Sequence, residues 1–245
     1  VALSFNGTDD YAKSGTVFNN DTQLSIFCRL YIPSSYSGSQ YDRLFELGGN
    51  ATDDGGLSLE IDSPSSQMHL FVWEGSSGGS AGSYSYPTDT WFDFLCTSES
   101  SAPSNVLYWN GGSGSETTVY ARKTNATELT IAGQNNAPTS NNSEISVADF
   151  TIWHGVILTQ EDSDSLAEGV SPLLTHPENI RENYGLVGGS GNGKFGVDDL
   201  NVSGAAKTDH PRVFLPSAQI LQFPPAPAVG GATSKLVVLS RHRGR

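Results

Sequence analysis

The sequence predicts an all-β fold: a jelly-roll sandwich of two antiparallel sheets, with one short helix and an extended C-terminal arm. Three observations carry this. Short runs of alternating apolar and polar residues recur between residues 24 and 153, each bounded by Gly, Asn, Asp, Ser or Pro. Charged residues make up only 16% of the chain, while 27 Gly and 12 Pro supply turns. One segment alone has clear helical caps.

The elements follow in order. "VALSFNGTDDYA" alternates like a strand running into a turn. Leu24, Ile26, Cys28, Leu30 and Ile32 alternate with Ser25, Phe27, Arg29 and Tyr31, which predicts a strand with one strongly apolar face. "RLFELGG", "GLSLEID", "MHLFVWEG", "WFDFLCTSE", "NVLYWNGG", "ELTIAGQ" and "EISVADFTIW" read as further strands. A strand carries its side chains alternately to two faces, so the inner halves of two such sets form a sandwich core. "LTQEDSDSLAEG" predicts the helix. Thr159 is its N-cap, Asp162 stands at the capping-box position, and Gly169 closes it. "SPLLTHPENIRENYG" predicts a second short helical turn, and the pattern weakens after about residue 185.

The charge narrows the partners. Net charge is −13, which disfavours nucleic acid. Four of the 13 basic residues fall in residues 235–245, leaving nine against 26 acidic ones elsewhere, a net of −17. No segment approaches the roughly 18 apolar residues of a membrane span, and no signal peptide is visible. The simplest expectation is a cytoplasmic product that has lost its initiator Met. Gly188 to Lys194 spells the start of a P-loop, but Phe195 stands where Ser or Thr must reach Mg²⁺. The five His residues are scattered without metal-ligand spacing.

The quoted pieces "LSFNGTDDYA", "QLSIFCRLYI", "WFDFLCTSES…NVLYWNGG" and "ISVADFTIWHGVILTQEDSDSLAEGVSP" together resemble the concanavalin A-like superfamily, in its laminin-G and pentraxin-like forms, over roughly residues 1–172. The following stretch, "YGLVGGSGNGKFGVDDLNVSGAAKTDHPRVFLPSA", is similar to the extension of such domains in tailed-phage structural proteins. The resemblance frames the chain as a concanavalin A-like domain with its extension over 1–204 and a Pro-rich, basic-ended arm over 205–245.

The resemblance raises the question of catalysis. Retaining glucanases of this superfamily carry two Glu about four residues apart on one strand, with an Asp between them. Glu60 and Asp62 share a face here, opposite Leu57, Leu59 and Ile61, but the next position on that face is Pro64. The second Glu is missing, so a polar outer face is expected rather than glucanase chemistry.

Pentraxin-like relatives also imply a Ca²⁺ site, the only cofactor suggested. The matching loops supply Asn50, Asp53 and Asp54, then Gln134, Asn135, Asn136 and Glu144. The alternative is ordinary turn chemistry. The same relatives imply that Cys28 and Cys96 face each other across neighbouring strands, either as a disulfide or as two buried thiols. Exposed aromatic rings suit glycan contact. Tyr36, Tyr41, Tyr84 and Tyr86 are candidates, with Trp73 and Trp91 near loops or outer faces. The competing reading is that such rings fill the sandwich, which Trp91, Trp109 and Trp153 favour.

The arm carries an assembly reading. Phe214, Leu215, Ile220, Leu221 and Phe223 lie among prolines that rule out a regular helix or central strand. Leu236, Val237, Val238 and Leu239 read as a short strand able to add to an exposed edge, followed by Arg241, Arg243 and Arg245. The expected function is therefore a non-enzymatic phage virion protein, such as a capsid decoration protein. It would be made in the host cytoplasm and partnered by the major capsid protein or other virion subunits, as a homo-oligomer on the particle, with a host-surface glycan as a further partner. The alternative is a secreted or receptor-binding, carbohydrate-binding lectin module. A glycoside hydrolase stands third.

Overall fold

The computed structural model describes residues 2–14, 22–38, 40–48, 56–62, 66–74, 77–101, 104–112, 115–117, 120–122, 128–134, 137, 141–184 and 200–208. The chain divides into two units, Val1–Leu215 and Pro216–Arg245, and every described residue belongs to the first.

The strands, in chain order, are β1 (Ala2–Asn6), β2 (Tyr11–Ser14), β3 (Gln23–Tyr31), β4 (Gln40–Leu47), β5 (Leu57–Asp62), β6 (Gln67–Glu74), β7 (Ser77–Ser85), β8 (Trp91–Glu99), β9 (Ser104–Trp109), β10 (Ser115–Thr117), β11 (Leu129–Ile131), β12 (Glu144–His154), β13 (Ile180–Tyr184), β14 (Leu200–Ser203) and β15 (Ala206–Thr208). They form two antiparallel sheets. An eight-stranded sheet runs β10-β9-β8-β3-β12-β1-β15, with β13 also on β12, and a seven-stranded sheet runs β14-β2-β11-β4-β5-β6-β7. With α1 (Gln160–Ala167) as the one α-helix among the described residues, this is the all-β sandwich that the alternation predicts.

The inner faces meet in one apolar core. Across the seven-stranded sheet, register aligns Ala12, Ile131, Phe45, Leu59 and Leu70, all buried. From the other sheet come Leu24, Ile26, Cys28, Leu30, Phe94, Cys96 and Phe150. Phe45 joins the two layers. Its ring stacks on Phe94 at 5.8 Å between centroids and meets Phe150 edge-on at 5.7 Å.

Strand β3 is buried on both faces. Its second face carries Phe27, which packs with Leu95, Trp153, Leu158 and Leu166 into a separate cluster beneath α1. The helix is capped as its sequence predicts. Thr159 Oγ1 accepts from Asp162 N, and Thr159 N donates to Asp162 Oδ2 at 2.8 Å. The C-cap is Glu168, and Gly169 follows it in the left-handed region at φ 95°. The segment expected to hold one further helical turn holds two 3₁₀ turns, Pro172–Leu174 and Pro177–Asn179, and then β13.

The weak pattern after residue 185 conceals two short strands. β14 pairs with β2, and β15 with β1. Residues 206–208, placed by sequence at the start of the arm, are thus a strand of the eight-stranded sheet. The remaining arm residues lie outside the described residues: Phe214, Leu215, Ile220, Leu221, Phe223, Leu236, Val237, Val238, Leu239, Arg241, Arg243 and Arg245.

Phe45→Ala would leave a void where both sheets meet. It is expected to lower unfolding free energy by about 3–5 kcal/mol in urea titration, without change in the circular dichroism of the folded baseline.

Candidate functional site

Apolar parity on the inner face dictates what the outer face carries. In the seven-stranded sheet, register aligns Asn201, Lys13, Thr130, Glu46, Ser58, Phe71 and Ser80 in one row. A neighbouring row holds Arg43, Glu60, His69 and Ser83. This face is polar with aromatic interruptions, and Glu60 lies in its middle.

Glu60 is not a solvated surface acid. It is 3% exposed. Its Oε1 accepts from Ser58 Oγ at 2.6 Å and pairs with Arg43 Nη1. Arg43 Nε lies 3.9 Å from Glu46 Oε2 and makes no hydrogen bond. One guanidinium thus stands between two carboxylates. A bulge in β4, between Arg43 and Phe45, turns the arginine towards them. The segment at 141–143 fixes its backbone: Arg43 N donates to Asn141 O at 2.8 Å, and Ser143 Oγ donates to Arg43 O.

These groups line a cavity of about 290 Å³, with walls of Tyr41, Arg43, Glu60, Phe71 and Asn141. Both partners of Glu60 bind Oε1, leaving Oε2 for a ligand. Asn141 donates through Nδ2 to Gln134 Oε1 at 2.8 Å, leaving its Oδ1 as a second acceptor. Tyr41 is 50% exposed and sits at φ 71°, a left-handed backbone that costs a non-glycine residue about 1–2 kcal/mol. Strain of this kind concentrates at binding sites.

The other tyrosine candidates lie elsewhere. Tyr36 donates to Asp42 Oδ2 at 2.6 Å; burial and that carboxylate push its phenol well above the usual tyrosine range. Tyr84 donates to Leu107 O at 3.0 Å and stacks on Trp109, while Tyr86 packs against the main core. Trp91 borders a hollow on the opposite sheet, and Trp153 is fully buried beneath α1. Arg43, Phe71 and Asn141 were not singled out by sequence. The available signal was Arg43, a charge inside the otherwise apolar run "RLFEL".

Cys28 and Cys96 are free, buried thiols on adjacent strands. Register sets Cys28 opposite Phe94 and Cys96 opposite Ile26, so they are diagonal neighbours and do not face each other directly. Burial, reinforced by Asp149 and Asp93, raises the Cys28 thiol, and burial raises that of Cys96. Of the Ca²⁺ candidates, Asn50, Asp53, Asp54, Asn135 and Asn136 lie outside the described residues. Gln134 is bonded to Asn141, and Glu144 opens β12. Among the described residues, no group of three or more His, Cys, Asp or Glu side chains is placed to hold a metal ion.

The opposite sheet carries a second charged cluster. Arg29 Nη2 donates to Leu166 O at 3.0 Å, at the end of α1. Its Nε lies 3.3 Å from Asp93 Oδ1 and 3.8 Å from Asp149 Oδ2. Burial pushes Asp93 up to about 7; Arg29 opposes that rise, and Asp149 adds to it.

No family model matches this chain, and no curated protein is similar to it in sequence. Solved structures do share its fold. A heptameric SAP-like pentraxin from Limulus polyphemus matches with a TM-score of 0.54 at 13% identity, covering 68% of this chain and 81% of that one. Domain 4 of an extracellular arabinanase from Geobacillus stearothermophilus, in complex with arabinotriose, matches at 0.52 and 15%, covering 68% and 76%. A protein from Bacteroides ovatus assigned as carbohydrate-binding matches at 0.58 and 13%, covering 84% of this chain and 58% of that one. At such identities the likeness establishes the fold alone, a jelly-roll sandwich of two antiparallel sheets.

Two outcomes test the site's electrostatics. Arg43→Met removes the cation that pairs with the buried Glu60. It should cost about 3–5 kcal/mol by urea unfolding, and adding Glu60→Gln should recover part of that loss. For Asp93, the folded carboxyl titrates near 7 and the unfolded one near the ordinary 3.8. Its protonated form therefore supports the fold below about pH 4, and that support is lost as pH rises to about 7. Asp93→Asn should be more stable than the parent at pH 8, by an amount on the order of 1–3 kcal/mol, and no more stable at pH 4.

Proposed function

We propose that this chain is a carbohydrate-binding module, and that the sugar occupies the cavity between Tyr41 and Phe71. The observation that carries this reading is the cavity's composition. Two aromatic walls flank two acceptor atoms, Glu60 Oε2 and Asn141 Oδ1, on the outer face of a rigid sheet. Sugar rings present apolar faces to aromatics and hydroxyl donors at their edges, so each half of the ligand meets its complement. The Arg43 and Ser58 contacts hold the Glu60 carboxylate in place before any ligand arrives. That removes an ordering cost from binding.

Binding without cleavage follows from the carboxylate count. Glu60 is the one acid lining this cavity among the described residues, whereas glycoside hydrolysis normally uses two. The similar structures named above include two tied to carbohydrate by their descriptions, which supports the reading. None of the three is a virion protein. The capsid-decoration expectation rested on the stretch 184–218 and the arm 205–245, of which residues 185–199 and 209–245 lie outside the described residues.

A glycan array that includes arabinotriose, followed by titration calorimetry on the best ligand, tests the reading. The natural chain should retain a glycan saturably. Tyr41→Gly removes a wall of the cavity and relieves the positive-φ strain, so affinity should fall about tenfold while melting temperature holds or rises. An array with no retained glycan, or a Tyr41→Gly variant that binds as well as the parent, would refute the site.

A further inference from the structure

The cluster beneath α1 sets two carboxyl groups, Asp93 and Asp149, around one guanidinium, Arg29. Arg29 also meets the negative end of a helix whose last turn holds no basic residue. The cluster opens into a hollow of about 310 Å³ lined by Arg29, Trp91, Phe92, Asp93, Asn110 and Ala167. A separate hollow that shares Asn110 and Ala167 is lined also by Gly111, Asp164 and Glu168. The glycan cavity described above lies on the other sheet.

We propose that this hollow is a second binding site, and that its ligand is a small organic ammonium ion. A cation complements the ionised Asp93 carboxylate in the hollow, and two exposed acids of the adjoining hollow, Asp164 and Glu168, favour its approach. Arg29 does not repel the ligand as a lone charge would, because Asp149 and the Leu166 carbonyl already engage it. Asp93 meets Arg29 through Oδ1, which leaves Oδ2 as the acceptor for an N–H. Asn110 holds this strand in place. Its Oδ1 accepts from Asp93 N at 2.8 Å, and its own N donates to Asp93 O at 3.0 Å.

The aromatic wall decides between kinds of cation. Trp91 suits an alkylammonium, which gains from a π face and from apolar contact along its chain, whereas Phe92 turns its ring into the main core against Trp109. A divalent metal is favoured by several carboxylate or imidazole ligands together, and among the described residues no three His, Cys, Asp or Glu side chains are so placed. A volume near 300 Å³ is at the lower end for small-molecule sites, so the ligand is a compact amine.

Protons balance as follows. Near neutral pH, Asp93 is partly protonated, because burial holds its carboxyl near 7. The groups around it are Arg29 on β3, Asp149 on β12, and Asp164 and Glu168 from α1 and its cap. An entering ammonium favours the carboxylate, so the proton on Asp93 leaves to buffer and one positive charge replaces another.

Titration calorimetry with n-butylamine tests this. The probe stays an ammonium from pH 6 to pH 8, and n-butanol is its uncharged counterpart. The expected result is saturable binding of the amine, about tenfold tighter at pH 8 than at pH 6, with proton release that scales with buffer ionisation enthalpy. n-Butanol should not compete. Asp93→Asn should lose the binding while keeping a cooperative melt, and Trp91→Leu should weaken it. Absence of saturable binding at both pH values, an affinity that ignores pH, or equal binding of n-butanol would each overturn the proposal. The readouts on the natural chain do so without any variant.

Discussion

The contact of Phe45 with Phe94 and Phe150 is the constraint on which the rest of this molecule depends. It brings two sheets face to face, and each strand must then send alternate residues inward. Leu59 and Leu70 follow Phe45 into the core because they share its register. Glu46, Ser58, Glu60 and Phe71 are left on the outer face for the same reason. The candidate site is therefore not an insertion on the sandwich. It is the complement of the core, written on the same strands in the alternate positions.

Two arginines serve the outer sides of the two sheets, and their surroundings differ. Arg43 lies on the seven-stranded sheet between Glu46 and Glu60 and holds the latter at the wall of a cavity. Arg29 lies on the eight-stranded sheet beneath α1 and joins Asp93 and Asp149 to the helix end. Burying such groups is unfavourable unless each finds partners, so both clusters hold their strands and loops in defined positions. Asp149, at φ 53° in the β12 bulge, is an example. The bulge falls where β12 passes from pairing with β1 to pairing with β13. A kink in a strand thus serves sheet architecture and the placement of a carboxylate together.

The fold leaves chemistry open, because the same sandwich frames a pentraxin and a domain seen with arabinotriose. The chemistry of this chain is set by the filling of its outer faces. On one side, a tyrosine in a strained backbone stands beside a buried carboxylate with one oxygen free for a ligand. On the other, Trp91 borders a hollow that holds Arg29 and Asp93. Neither arrangement follows from strand order. Each follows from particular side chains that the register brings together.

Much of the architecture was legible in the chain itself. Leu24, Ile26, Cys28 and Leu30 announce a core-facing strand, Leu57, Leu59 and Ile61 fix the inward face of β5, and Thr159 with Asp162 caps α1. These features are local, because alternation and capping involve residues within a few positions of each other. Strand β7, "SGGSAGSYS", carries no such pattern, and its β6 partner identifies it. The short strands β14 and β15 are likewise defined by β2 and β1. Of the candidate cavity, only Tyr41 and Glu60 stood out in the chain, and their meeting did not. Arg43, Glu60, Phe71 and Asn141 come from four separate stretches, and only cross-strand register with the 141–143 contact assembles them. The same holds for the tyrosines: Tyr36, Tyr84 and Tyr86 resemble Tyr41 as residues, yet three lie against the core and one stands open. Periodicity states which side of a strand a residue takes. Which residues meet is set by pairing between distant segments, and that is decided by the packing of the whole sandwich.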